Sequence, residues 1–116
     1  MLRMSTVLLL LPAVYRDSYQ KVWERRIRFT LKGELPSRIV DLKTYEDIWT
    51  DYVIDMQFKA EPTSVRRILE SAKFRRSRIP DKGHLEFEPV DLPENVLHRV
   101  TVTTDYSQVW IEYAAD

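Results

Sequence analysis

The chain has 116 residues, no cysteine, and 18 basic against 18 acidic side chains, so its formal net charge is zero at pH 7. This length allows one hydrophobic core and leaves no room for a second catalytic domain. The lack of cysteine excludes disulfides, thiolate metal sites, a thiol nucleophile and a lipidated cysteine anchor. A net charge of zero excludes attraction of the whole molecule to nucleic acid or anionic lipid, so only local patches of charge matter.

The first predicted element is a helix that starts in the most hydrophobic stretch of the chain. Residues 4–15 read MSTVLLLLPAVY, and a run of about 12 apolar residues is too short to cross a bilayer but matches the core of a secretory signal. Aromatic and basic side chains then recur at helical spacing up to Arg26. We predict that residues 1–26 form a hydrophobic or amphipathic helix, a signal or an uncleaved anchor, whose residues 4–26 contact the membrane. The alternative is a buried strand at VLLLL followed by a surface helix.

Residues 27–116 are predicted to form a single α+β domain. Apolar and polar side chains alternate from Ile27 to Leu31, which predicts a strand that ends at Gly33. A second extended segment is predicted over residues 38–45. These segments would supply the first strands of a sheet.

The clearest pattern is a strand that leads into a helix across Pro62. Five apolar residues share one face of this strand: Tyr52, Ile54, Met56, Phe58 and Ala60. Beyond the proline, four apolar residues have the i, i+3, i+4, i+7 spacing of one helix face: Val65, Ile68, Leu69 and Ala72. We predict that Thr63 or Ser64 caps this helix, that it ends near Lys73, and that its apolar face packs on the strand.

The last third of the chain reads as sheet. Residues 85–88 predict a short strand, and the β-rich runs 96–103 and 108–113 predict a hairpin with a four-residue connection. The whole order predicts an α+β fold with a mainly antiparallel sheet of four to six strands, packed by one central helix, plus the N-terminal helix.

Four features of the chain resemble small uncharacterised bacterial domains that are exported or membrane-anchored, some of them lipoproteins: Leu35-Pro36-Ser37, Tyr45, Asp51 before an alternating strand, and Phe58-Lys59-Ala60-Glu61-Pro62 before a short helix. Residues 108–113 are similar to the closing strand of that group, so the resemblance covers residues 27–113. It implies the fold and a location at the bacterial membrane or in the periplasm, with the cytoplasm as the alternative. Since the lipid-bearing cysteine is absent, the anchor would be an uncleaved helix. The resemblance implies no activity.

A basic stretch supplies most of the candidate binding residues: Arg66, Arg67, Lys73, Arg75, Arg76 and Arg78. Only Glu70 opposes them within residues 66–78, and acidic residues predominate from Asp81 onward. This asymmetry predicts either a site for nucleic acid or an acidic partner, or a solvated surface that pairs with the acidic part of the chain. Nucleic acid is disfavoured because Phe74 is the only aromatic residue available for stacking.

Three further residues suggest a site. His84 and Glu86 share a strand face and could form the imidazole–carboxylate pair of a small hydrolase, but no third group is evident. Trp110 lies on the strand face opposite Ile111, which predicts an exposed aromatic contact surface or a side chain packed beneath the N-terminal helix. No spacing typical of a metal site or a phosphate-binding loop occurs, so we predict neither metal nor cofactor.

These patterns favour a non-catalytic domain, membrane-anchored or exported, that binds a protein partner through its sheet or its basic stretch. The first alternative is a soluble cytoplasmic protein that binds nucleic acid or an acidic partner through residues 66–78. The second is a small hydrolase that uses His84 and Glu86. Nothing in the sequence predicts the identity of the partner or the oligomeric state.

Overall fold

The computed structural model describes residues 13–47, 52–77 and 83–115, which form two helices and six strands. In chain order these are α1 (Ala13–Thr30), β1 (Val40–Asp47), β2 (Tyr52–Lys59), α2 (Pro62–Leu69), β3 (Phe74–Arg76), β4 (His84–Pro89), β5 (Val96–Thr103) and β6 (Gln108–Ala115). The strands form one antiparallel sheet in the order β1-β2-β6-β5-β4-β3. The predicted α+β class and antiparallel sheet are confirmed.

The pairing register of the central strands separates the two faces of the sheet. β2 pairs with β6 without interruption from Tyr52↔Ala115 to Lys59↔Gln108, and β6 continues this pattern with β5. Because successive strand side chains point to opposite faces, the apolar positions of neighbouring strands are aligned on one side. Seven of these side chains are buried: Ile54, Met56, Phe58, Val100, Val102, Val109 and Ile111.

Both helices lie on this buried face. Trp23, Ile27 and Leu31 from α1 and its C-terminal end join a single hydrophobic cluster with the sheet, as do the apolar residues of α2, which are Val65, Ile68 and Leu69. Two polar contacts tie α1 to the sheet: the Tyr19 hydroxyl is 3.0 Å from Oγ1 of Thr44 on β1, and Arg26 pairs with Glu46. Among the described residues, no element covers the other face.

The strand predicted from Ile27 to Leu31 is wrong, because these residues continue α1 through Thr30. Trp23, Ile27 and Thr30 have the i, i+4, i+7 spacing of a helix face, and all three are buried. The alternation of Ile27, Phe29 and Leu31 alone also fits the two-residue period of a strand. The buried Trp23, four residues before Ile27, favours the 3.6-residue period of a helix. The boundary predicted between residues 26 and 27 therefore falls inside α1.

The transition from β2 into α2 follows the sequence pattern, but the cap and the end of the helix differ. Glu61 caps α2, since its carboxylate accepts hydrogen bonds from the backbone N–H groups of Thr63 and Ser64 at 3.1 Å each. The predicted cap at Thr63 or Ser64 is thus wrong. The Ser64 hydroxyl instead accepts a hydrogen bond from the backbone N–H of Ser37 at 3.0 Å.

α2 ends at Leu69 rather than near Lys73, and Ala72 is exposed beyond it. The chain turns there because residues 74–76 form β3, which pairs with β4 from Phe74↔Pro89 to Arg76↔Phe87. Phe74 is 6% exposed. Its burial against the sheet accounts for the early end of the helix.

The hairpin predicted at the end of the chain is present as β5 and β6. Its connection needs no glycine because the Asp105 carboxylate holds the turn. It accepts hydrogen bonds from the Thr103 hydroxyl at 2.6 Å, the Ser107 hydroxyl at 2.7 Å and the Ser107 backbone N–H at 3.0 Å. These bonds lower the pKa of Asp105 to about 2.

The edge strand β1 is irregular at its start. The register with β2 shifts between Val40 and Lys43, and Asp41 between them has a positive φ of 55°. Leu42 is buried by this distortion, whereas Val40 remains 54% exposed. The irregularity is typical of a β-bulge, which bends and twists an edge strand.

Most of the predicted hydrophobic segment, residues 1–12, lies outside the described residues, as do residues 48–51 with Trp49 and residues 78–82 with Arg78. Within the described part of the chain, neither helix has the length and apolar character needed to cross a bilayer.

Candidate functional site

The uncovered face of the sheet forms an open groove with a volume of about 540 Å³. β1, β2, β4, β5 and β6 all contribute to it. Its lining residues occupy the alternate positions that point away from the helices, except for the buried Thr44, Met56 and Ile111. This volume lies within the range of sites that bind small molecules. We call this surface the open-face groove.

Trp110 lies at the centre of the open-face groove. It is directly opposite Gln57 on β2 and Thr101 on β5, so that an indole, an amide and a hydroxyl form one row across three strands. The His84 ring meets the indole edge-on, with centroids 5.1 Å apart and planes at 80°. The half-buried indole is therefore held in place while part of it stays accessible.

The next row across the sheet is charged. Tyr45, Asp55, Glu112 and Arg99 follow one another on β1, β2, β6 and β5. Arg99 bridges two carboxylates, with nitrogen–oxygen distances of 3.9 Å to Glu112 and 4.0 Å to Glu86. Asp55 has no ion-pair partner among the described residues.

Asp55 and Glu112 are directly opposed carboxylates. Asp55 is exposed, and partial desolvation, together with the nearby Glu112, raises the pKa of its carboxyl above the usual value. Like charges in opposite positions of a sheet are destabilising. Because Asp55 is exposed, solvent screens this repulsion and its effect on folding is small.

The charges and the indole together favour a cationic ligand. Three carboxylates line the open-face groove, those of Asp55, Glu86 and Glu112, against the two cations Lys43 and Arg99. A positive group near Asp55 would relieve its repulsion with Glu112, and a tryptophan face attracts cations. Among residues 13–47, 52–77 and 83–115, the acidic and histidine side chains form no cluster of three suited to a metal ion.

The structure describes five of the six predicted basic residues, and three of these five form side-chain hydrogen bonds. Arg66 pairs with Glu70 at 2.9 Å, and Arg75 pairs with Glu88 at 2.9 Å. Lys73 donates from Nζ to the backbone oxygen of Lys32 at 3.0 Å, beyond the end of α1. Arg67 and Arg76 are exposed on α2 and β3, and Arg78 lies outside the described residues.

His84 and Glu86 share a face of β4, as predicted, and both line the open-face groove. They have different neighbours, however: the imidazole contacts Trp110, whereas the carboxylate lies near Arg99. The hydrolase hypothesis remains a prediction.

Sequence reasoning identified Trp110 and Glu86 but missed Asp55, Arg99 and Glu112 as parts of the same site. These residues come from three strands, and only the pairing register brings them together. The sequence contains a partial signal, because Asp55 and Glu112 each lie on the polar face of a strand in which polar and apolar residues alternate.

Comparison of the chain with protein-family models, with curated proteins and with solved structures gave no match in any of the three. The resemblance to exported bacterial domains therefore stays a prediction.

Proposed function

We propose that this protein is a non-catalytic binding domain, held at or exported across the bacterial membrane by its N-terminal segment, and that it binds a protein partner through the open-face groove. The observation that carries the proposal is the half-buried Trp110 at the centre of an uncovered, five-strand surface. Partly accessible tryptophans anchored by neighbouring side chains are typical of interface hot spots.

The composition of the groove supports a peptide segment as the ligand. Gln57 and Thr101 flank the indole and can both donate and accept hydrogen bonds, which suits a peptide backbone. The carboxylates on the adjacent row favour a lysine or arginine beside an apolar residue of the partner. Such a partner segment would place its apolar group on Trp110 and its cation near Asp55.

The proposed location is supported by the sequence that leads into the fold. The apolar run ends at Leu11, and α1 begins at Ala13, so the hydrophobic segment joins the helix that packs on the sheet. An apolar segment that directly precedes the first helix of the domain is suited to hold the domain at a membrane.

The binding proposal can be tested by nuclear magnetic resonance on the isotope-labelled full chain. The probe is a short peptide of alternating lysine and leucine, and the control peptide alternates glutamate and leucine. We expect the lysine peptide to shift the Trp110 indole N–H and the Thr101 amide. Loss of a hot-spot aromatic costs about 2 kcal/mol, so Trp110→Ala should weaken binding roughly thirtyfold.

Two further variants test the role of Asp55 and provide a control outside the groove. Asp55→Asn should weaken binding of the lysine peptide by roughly fivefold, as expected for one exposed ion pair. Phe29→Ala, which removes an exposed aromatic on the opposite side of the molecule, should leave the affinity unchanged. The absence of lysine-peptide binding, or shifts confined to residues outside the groove, would contradict the proposal. Binding of the glutamate peptide dependent on Arg67 and Arg76 would support the acidic-partner alternative instead.

The location is tested by fractionating cells that express the full chain and a Leu8→Gln/Leu10→Gln variant. We expect the unmodified protein in the membrane or periplasmic fraction and the variant in the cytosol, because two amides remove most of the apolar character of the run. An unmodified protein found entirely in the soluble cytosol would overturn this part of the proposal.

A further inference from the structure

The solvent-facing side of α1 has an unusual combination of side chains. Lys21, Val22, Arg25, Arg28 and Phe29 are all exposed, and at 3.6 residues per turn they fall within about one third of the helix circumference. We call them the outer face of α1. Val22 is 42% exposed and Phe29 is 61% exposed, although both are apolar.

The outer face of α1 is also strongly basic. Its five residues include three cations, none of which pairs with a carboxylate of the described residues, and the half-buried Glu24 lies at the border of the face. Arg26, on the flank of the helix, differs because it pairs with Glu46 and stacks on the Trp23 ring at 4.4 Å. On α2, Arg66 also has a carboxylate partner, whereas Arg67 has none among the described residues.

The apolar part of this face extends onto the sheet. Phe29 meets the Tyr113 ring edge-on at a centroid distance of 5.5 Å, and Tyr52 meets the same ring at 6.2 Å. Tyr52 is itself 41% exposed. Aromatic rings with polar tips beside basic side chains are enriched at the level of lipid headgroups.

We propose that the outer face of α1 is a membrane-binding surface that lies flat on an anionic lipid bilayer. Val22 and Phe29 would enter the headgroup region, while the three cations meet lipid phosphates, as in interfacial amphipathic helices. The inference rests on the proposed membrane location and specifies which surface makes the contact.

The chain outside the described residues strengthens the choice of lipid as the partner. Residues 1–12 end immediately before α1 and contain the run VLLLL. A single acyl chain gives only reversible membrane attachment, and a basic patch is a common second signal that makes the attachment stable. By analogy, a short apolar segment would gain from a neighbouring basic surface. The outer face of α1 would supply that second signal directly after residues 1–12 in the chain.

This placement also fits the open-face groove. α1 packs on the buried face of the sheet, and the groove occupies the opposite face. A membrane bound to the outer side of α1 leaves the groove directed to water, where a partner can reach it.

Co-sedimentation of the full chain with lipid vesicles tests the inference. One set of vesicles contains equal parts of phosphatidylcholine and phosphatidylglycerol, and the other contains phosphatidylcholine alone. Each cation near an anionic surface increases affinity about fivefold. Arg25→Glu/Arg28→Glu removes two cations, so it should reduce binding to the anionic vesicles at least twenty-fivefold, which is about fivefold for each charge. Added salt should weaken the binding of the wild type.

The matched control is Arg67→Glu/Arg76→Glu, which makes the same change in net charge at two other exposed arginines. It should bind anionic vesicles within about twofold of the wild type, since the screened attraction falls off over a Debye length. A third variant, Phe29→Trp, places a fluorescent reporter on the surface. Since the wild type already has three tryptophans, its emission is subtracted from that of the variant, and the difference should shift to the blue only with the anionic vesicles.

The outcomes separate this inference from the proposed location. If all variants bind both kinds of vesicle equally, residues 1–12 alone hold the protein and the outer face of α1 plays no part. If the control pair loses binding as much as the α1 pair does, net charge and not this surface is responsible. If the wild type binds neither vesicle, both the inference and the membrane location fail. Circular dichroism of each variant shows that the fold is intact.

Discussion

Phe58 on β2 and Leu69 on α2 belong to the same hydrophobic core cluster, and they are 0% and 1% exposed. An unpaired charge at either position costs several kcal/mol, against a total stability of about 5–15 kcal/mol for a domain. We expect Leu69→Asp and Phe58→Asp to unfold the protein in a thermal melt followed by circular dichroism. Arg67→Asp, on the exposed side of the same helix, should change the melting temperature little. An unchanged melting temperature for Leu69→Asp would contradict the assigned packing.

His98 is a buried titratable residue that links the sheet to the end of α1. It is 6% exposed, and its Nε2 is 2.6 Å from the backbone oxygen of Thr30, to which the neutral imidazole donates. Burial lowers the pKa of His98 below its usual value, and Lys32 acts in the same direction. The hydrogen bond to Thr30 and the charge of Asp91 act in the opposite direction.

This environment predicts how stability depends on pH. The unfolded chain takes up a proton at His98 near pH 6.5, whereas the folded protein does so only at lower pH. The stability that the neutral ring contributes is therefore present above about pH 6.5 and is lost as the pH falls through the lower folded value.

Urea unfolding at a series of pH values measures this effect. We expect the free energy of unfolding to decrease from pH 7.5 to pH 5, and His98→Asn to remove that slope because an amide can donate to Thr30 without titrating. His84→Asn, which leaves His98 in place, should keep the slope. A wild-type profile that is flat over this interval would contradict the prediction.

At the scale of elements, α1 is as much a part of the core as the strands are. Trp23 is 2% exposed and packs near Tyr19, with ring centroids 6.1 Å apart. Truncation of a buried tryptophan costs about 3–5 kcal/mol. We expect Trp23→Ala to lower the free energy of unfolding in urea by that amount, and Val22→Ala, at the adjacent exposed position, to change it by less than about 1 kcal/mol. Equal effects of the two variants would show that α1 does not dock through Trp23.

Local pattern predicted some of these elements and failed for others. β2 and the start of α2 are evident in sequence because an alternating run changes to a helical one at a proline, which sets the helical φ at the first turn. Residues 27–31 were assigned to a strand because five residues fit both periods. β3 was missed because Phe74 is one apolar residue in a basic stretch, and only its pairing with β4 makes it part of a sheet.

The candidate site was predictable only in part for the same reason. The alternation of side chains along β6 predicts that Trp110 lies on the face opposite Ile111, and the structure places it there. The partners of Trp110 could not be derived, because β2 pairs with β6 across the intervening residues 60–107, from Lys59↔Gln108 to Tyr52↔Ala115. Patterns over a few neighbouring residues carry no information about which distant residues pair in a sheet.

At the scale of the whole molecule, the contacts of α1 define how much of the N-terminus can be removed. Removing residues 1–26 deletes Trp23 and the contacts of Tyr19 with Thr44 and of Arg26 with Glu46. Removing residues 1–12 keeps every contact described above. We expect the shorter truncation to retain a cooperative thermal transition and the longer one to lose it. A folded protein lacking residues 1–26 would contradict the role assigned to α1.

The two borders of the sheet have a consequence for self-association. At one border, the bulge in β1 places Asp41 at a positive φ, and its carboxylate lies 3.6 Å from Lys59. At the other, β3 has three residues, two of them exposed arginines. A distorted strand and a very short charged strand are poor templates for an incoming backbone. The molecule is therefore protected at both borders against strand-by-strand growth into fibrils, even where many copies crowd together.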